Sequence, residues 1–121
     1  VSRVALAAEP IDSHDIFLFH KTTHRTVYEQ AKADFPEADD VILWNEHGEV
    51  TESTVGNVVI RRDGRWVTPP VQCGLLAGTF REHLLETGGI EEAVITVDEL
   101  KSAGEIFLVN SVRGWQRAVW A

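Results

Sequence analysis

Two apolar runs, Asn57-Val58-Val59-Ile60 and Trp66-Val67-Thr68, stand on either side of Arg62-Asp63-Gly64. Asp-Gly between apolar runs is a strong hairpin signal, because a two-residue turn that follows the strand twist needs positive φ at both central positions. The hairpin belongs to a series. Val4-Ala5-Leu6-Ala7, Val41-Ile42-Leu43-Trp44, Val50 to Glu52, Ala93-Val94-Ile95, Glu105 to Val109 and Gln116 to Trp120 are all short, apolar and closed by turn residues. That pattern predicts strands. Asn45-Glu46-His47-Gly48 is a turn with glycine for its positive φ, and Pro69-Pro70 ends the pairing after Thr68.

Helical periodicity is confined to three places. From Thr22 or Thr23 to about Asp34 the spacing turns Val27, Ala31 and Tyr28 inward, and Phe35-Pro36 stops the helix. Gly78 to about Glu86 presents Phe80, Leu84 and Leu85 and stops at Gly88-Gly89. Thr96-Val97-Asp98-Glu99 reads as a capping box, which opens a short helix through Ser102. About eight strands and three helices, without repeat or linker, predict a single α+β domain over residues 1–121, dominated by sheet.

Charge and cysteine usage narrow the function. Eleven basic against 19 acidic residues give −8, which argues against nucleic acid and against an anionic membrane surface, since both are held by Lys and Arg. Cys73 is the one cysteine, so no intrachain disulfide exists and a reducing cytoplasm is the expected setting. No apolar run approaches the length of a bilayer span. A chain that starts at Val1 and contains no methionine is expected to be a piece of something longer.

The residues that carry chemistry form a relay. Ile16-Phe17-Leu18-Phe19 leads directly into His20 and Lys21. A lysine rooted after such a run loses solvation, which lowers its pKa and makes it a nucleophile toward aldehydes. Glu52 ends a strand, where a carboxylate pairs with a protonated pyridine nitrogen. Gly78-Thr79-Phe80-Arg81 opens a helix whose first amides lack internal partners and suit a phosphate, and Ser111 follows a strand end. Amine, anion and phosphate cradle are what pyridoxal 5′-phosphate (PLP) requires. Competing motifs fail: His20 and His24 stand as HKTTH without the glutamate of a zinc-protease helix, the other histidines are scattered, and no metal site is expected. The tryptophans do not interleave with basic residues, so packing accounts for them better than base stacking.

In order and spacing these segments resemble the C-terminal, larger domain of the class IV (fold type IV) PLP enzymes, which include branched-chain and D-amino acid aminotransferases and 4-amino-4-deoxychorismate lyases. The resemblance runs from about Ile16 to Ala118. Its elements are the lysine before a helix, Gly48-Glu49-Val50-Thr51-Glu52 with Asn57, Thr68-Pro69, Leu75-Leu76-Ala77-Gly78-Thr79-Phe80-Arg81, and a strand ending in Asn110-Ser111. It implies a D-amino acid aminotransferase-like fold, a pseudo-barrel sheet with about three helices. It also implies that Lys21 holds the cofactor aldehyde and moves protons, and that Glu52 meets the ring nitrogen. Thr79, Phe80 and Ser111 would hold the phosphate, and Val112 and Arg113 would face a small-molecule substrate.

Phe17-Leu18-Phe19-His20-Lys21-Thr22-Thr23 and Asn110-Ser111-Val112-Arg113-Gly114 look most like lyase domains fused behind an aminodeoxychorismate synthase component. The implied reaction eliminates pyruvate from 4-amino-4-deoxychorismate to give 4-aminobenzoate, a folate precursor. Amino-acid transamination and a non-catalytic remnant of the fold are the alternatives. Family members are commonly dimers. They also carry a smaller N-terminal domain with no counterpart before Ile16, and a tyrosine on the ring oxygen whose place lies near Thr26.

Overall fold

The computed structural model describes residues 1–14 and 21–121, with side chains in the first helix described from Tyr28 onward. Among them run β1 (Ser2–Leu6), α1 (Lys21–Asp34), β2 (Asp40–Trp44), β3 (Val50–Ser53), β4 (Asn57–Arg62) and β5 (Arg65–Thr68). A 3-10 turn at Val71–Cys73 leads to α2 (Thr79–Glu86), β6 (Glu91–Glu92), α3 (Val97–Ser102), β7 (Ile106–Asn110) and β8 (Gly114–Trp120). This is the α+β domain expected, with eight strands and three α-helices among the described residues. The run Ile16 to Phe19, His20 and the side chains of Lys21, His24, Thr26 and Val27 lie outside them.

All strands join one sheet in the order β3-β2-β1-β8-β7-β4-β5-β6. β1 runs parallel to both β2 and β8, and β5 parallel to β6; the other pairs are antiparallel. The edge strand β3 is joined to β4, five places along that order, by a tight turn in which Ser53 N–H donates to Gly56 O at 2.8 Å. The sheet therefore curls into a half-barrel.

Strand alternation divides the core. Val58 and Ile60 of β4 and Ile106 and Leu108 of β7 join Val4, Ile42, Val50, Ile95, Leu100 and Ala118 on one face. Val41 and Leu43 point the other way, with Ala7, Ala31, Tyr28 and Phe35 beneath α1. Val59 and Val109 share that second face with Leu84, Ile90 and Phe80 beneath α2. Each fully buried aliphatic contributes about 1.5–3 kcal/mol, so both helices are pinned to the same side of the sheet. A cleft separates them.

Local signals behave as the sequence predicts at the tight turns. Asp63 (φ 49°) and Gly64 (φ 80°) form the two-residue turn between Arg62 and Arg65. The Thr96 hydroxyl accepts from Glu99 N–H at 3.1 Å. The box closes on that side only, because the Glu99 carboxylate is taken by the Arg62 guanidinium at 2.7 and 2.5 Å. Several boundaries differ: β1 and β8 each start two residues early, α1 already begins at Lys21, and the strand expected at Ala93–Ile95 lies instead at Glu91–Glu92. Ala93 N–H still reaches Thr68 O at 2.9 Å, but Ile95 then drops into the core and its carbonyl accepts from Val50 N–H at 2.8 Å. Burial overrides the strand pattern there. No helix among the described residues is long and apolar enough to cross a membrane.

Candidate functional site

A cleft of about 380 Å³ opens between α1 and α2, walled by Tyr28, Glu52, Asn57, Gly78, Thr79 and Ser111 among others. Glu52 stands on its α1 side. The carboxylate is buried, at 3% exposure. Its Oε1 accepts from the Tyr28 hydroxyl at 2.9 Å, and its Oε2 accepts from Leu76 N–H at 3.2 Å. Burial first, then the charge of Glu52 and the hydrogen bond to it, push the Tyr28 phenol above its ordinary value, so it remains an O–H donor.

The α2 side is built by Asn57. Its Nδ2 donates to Leu76 O at 3.0 Å and its Oδ1 accepts from Gly78 N–H at 3.2 Å. That holds the segment entering α2 against β4. Gly78 is the N-cap, with no side-chain cap over the first-turn amides. A Cβ there would stand 2.8 Å from Asn57 Oδ1, so the close approach needs glycine. Arg81, 1% exposed, clamps the helix from behind: it donates to Glu92 Oε2 at 2.6 Å and Pro69 O at 3.1 Å, and pairs with Glu82. The one acid of the first turn is thereby neutralised, which leaves the helix dipole free to face an anion.

The third wall comes from the strand ends. Asn110 Nδ2 donates to Val55 O at 2.9 Å, while Oδ1 accepts from Val112 N–H and Arg113 N–H at 3.0 and 2.7 Å. One side chain thus fastens the β3–β4 turn to the β7–β8 turn. Gly56 lies under this joint; a Cβ would meet Val109 O at 2.5 Å.

Of the residues singled out in the sequence, Glu52, Thr79 and Ser111 line the cleft together. The Phe80 ring packs away from it onto the cluster beneath α2 and stacks on His83 at 6.4 Å, leaving its amide as the group at the helix start. Val112, 91% exposed, and Arg113 sit on the outer turn. Lys21 opens α1, and its side chain lies outside the described residues. Sequence reasoning passed over Tyr28 and Asn110 as site residues and gave Asn57 no role. The available signal was spacing: Tyr28, the one tyrosine, follows Lys21 by two helical turns.

The residues fit PLP in three respects: a buried carboxylate at the cleft wall, uncapped amides at a helix start, and a paired rather than free acid beside them. Asp12, His14 and Glu46 also converge at the surface, with ligand atoms within 4.8 Å, but all three are exposed and Glu46 already accepts from Ser13 N–H at 3.0 Å.

Comparison with known proteins decides the family. The model of "Amino-transferase class IV" matches residues 1–119. The chain belongs to the class IV aminotransferase family. The family is one of PLP-dependent enzymes, and the fold is that of the fold type IV aminotransferases. A Schizosaccharomyces pombe protein named "Putative aminodeoxychorismate lyase" is 42% identical over 101 residues, which cover 78% of this chain and 44% of that protein. The aminodeoxychorismate lyase of Saccharomyces cerevisiae is 30% identical over 131 residues, covering 92% and 35%. A solved Mesorhizobium loti structure, described as a "Putative amino-acid aminotransferase", superposes with a TM-score of 0.91 at 41% identity, covering all of this chain and 60% of that one. The chain spans less than half the length of these two curated relatives.

Proposed function

We propose that this chain is the PLP-binding domain of a 4-amino-4-deoxychorismate lyase, which releases pyruvate to form 4-aminobenzoate. The observation that carries the cofactor reading is Glu52, a buried carboxylate held on both oxygens at the cleft wall. PLP, when bound, supplies an electron sink conjugated with the substrate amine. Glu52 provides the negative charge that keeps a pyridine nitrogen protonated. The Thr79 and Phe80 amides and the Ser111 hydroxyl would hold the phosphate, favoured by the helix dipole. The Lys21 amine would hold the cofactor's aldehyde and, once free, would accept the proton lost from the substrate ring.

The lyase reading is supported by 42% identity to the S. pombe protein and by the Asn110-to-Gly114 turn. Arg113 stands there as a cation for substrate carboxylates, with Val112 beside it. Amino-acid transamination is the second reading, favoured by the 41% identity to the M. loti protein. In either case the domain works in the cytoplasm within a longer chain. A small N-terminal domain completes the pocket and the assembly is a homodimer; in the lyase reading an aminodeoxychorismate synthase component precedes it.

Absorbance of the purified protein titrated with PLP tests the cofactor reading. A visible band that is lost in Lys21→Ala supports it; no band in either protein sinks it. Pyruvate and 4-aminobenzoate released from 4-amino-4-deoxychorismate support the lyase, whereas keto acids from amino acids alone overturn it.

A further inference from the structure

A glutamate's terminal torsion is broad and nearly two-fold, so a carboxylate held by one donor can turn about it. In Glu52 two donors on different oxygens, the Tyr28 hydroxyl and Leu76 N–H, set the plane of the group. The two come from different elements. Leu76 belongs to the segment that Asn57 ties to β4. Tyr28 belongs to α1, with its ring packed against the cluster of Ala7, Ala31, Val41 and Leu43. α1 is also the helix that Lys21 opens. Seven residues, about 10 Å of helix rise, separate the backbone of the lysine from the phenol that reaches the carboxylate.

We infer that Tyr28 is a positioning residue that orients the Glu52 carboxylate toward the cofactor's ring nitrogen and sets α1 in register with β3. The inference rests on the PLP reading above. Its chemistry is specific: the hydroxyl donates to Glu52, so its effect on binding passes through the carboxylate that serves the ring nitrogen. A phenol held well above its ordinary ionisation by burial and by the adjacent carboxylate remains a donor throughout the working range. A tyrosine also spans from helix to strand with two side-chain torsions, which a water molecule in that place would not fix.

The test compares PLP with its carbocyclic analogue, in which C–H replaces the ring nitrogen. Both are titrated into wild type, Tyr28→Phe, Glu52→Gln and the double variant. Tyr28→Phe keeps the ring that packs beneath α1 and removes only the hydroxyl. The expected result is about tenfold weaker binding of PLP by Tyr28→Phe, with binding of the analogue unchanged within twofold. The double variant should bind PLP no more weakly than Glu52→Gln alone, because residues acting through one another are not additive. Equal weakening for both ligands, additive losses, or no loss overturns the inference. Wild type that binds neither ligand overturns the PLP reading itself, and the inference with it.

A second measurement is independent of cofactor. Fluorotyrosine supplied in place of tyrosine labels position 28 alone, because the chain has one tyrosine. Its ¹⁹F resonance in the cofactor-free protein should move in Glu52→Gln; an unmoved resonance refutes the contact.

Discussion

Replacing Arg81 by methionine removes a cation that is 1% exposed while keeping most of its volume. Four terms set the outcome. Pro69 O loses its donor, worth about 1 kcal/mol. Two ion pairs vanish, but Glu82 and Glu92 are 49% and 47% exposed. Water takes the place of the guanidinium at each, and the loss is up to about 1 kcal/mol apiece rather than the 3–5 of a fully buried pair. Against these, Arg81 Nε is buried without a partner, and its removal returns about 1 kcal/mol. The expected loss is about 2 kcal/mol, or about 8 °C in Tm for a domain of this size. Urea unfolding followed by tryptophan fluorescence reads it as a lower midpoint at unchanged slope. Arg81→Lys should lose at least as much, because one ammonium cannot serve Pro69, Glu82 and Glu92 together. Unfolding free energies within 0.5 kcal/mol of wild type for Arg81→Met, or a milder Arg81→Lys, would refute the clamp.

Gly78→Ala places a Cβ 2.8 Å from Asn57 Oδ1 at an ordinary φ of −70°. It should cost about 1 kcal/mol in one strained hydrogen bond while weakening PLP about tenfold; unchanged PLP affinity would contradict the cradle. Gly56→Ala meets a backbone oxygen at 2.5 Å and should cost about 2–3 kcal/mol by overpacking, read by thermal unfolding. The Cys73 thiol is pushed up from 9.0 to about 11, by burial first and then by Glu49. The unfolded chain therefore ionises first, and stability should fall as pH rises from about 9 to about 11. Cys73→Ala should flatten that part of the urea-midpoint profile. A wild-type profile level to pH 11 would argue against a buried thiol. Tyr28, also raised, should add a loss that begins only above about pH 10 and disappears in Tyr28→Phe.

What could be read in the sequence depended on the range of the interaction. The Asp63-Gly64 turn and the Thr96 cap satisfy backbone groups within four residues, so composition alone predicts them. Glu52, Thr79 and Ser111 were legible as residue types at strand and helix ends, and they meet in one cleft. The bonds that make the cleft were not. Tyr28 reaches Glu52 across 24 residues and Asn110 reaches Val55 across 55, and no periodicity encodes which turn lies against which. Ala93–Ile95 failed for the same reason: a β-branched run reads as a strand whether its backbone pairs or its side chain plugs the core. The Lys21 side chain lies outside the described residues, and the helix it opens begins one or two residues before the predicted start.

The position of β8 bears on how the cleft comes into being. The last strand in the chain lies between β1 and β7, pairing Ser2 with Ala118 on one side and Ile106 with the same residue on the other. Without it the strands form two ribbons, β3-β2-β1 bearing Glu52 and β7-β4-β5-β6 bearing Asn57, which share no strand ladder and meet through the Ser53–Gly56 turn and through bonds such as Val50 N–H to Ile95 O and Leu76 N–H to Glu52. During synthesis both ribbons precede the strand that joins them, and its pairing with β1 closes the longest loop in the domain, a slow kind of contact to form. Loosening β8 at the far side of the sheet would then leave the β3–β4 turn and the bond from Leu76 N–H to Glu52 to hold the carboxylate beside the phosphate cradle, although every residue lining the cleft stayed intact.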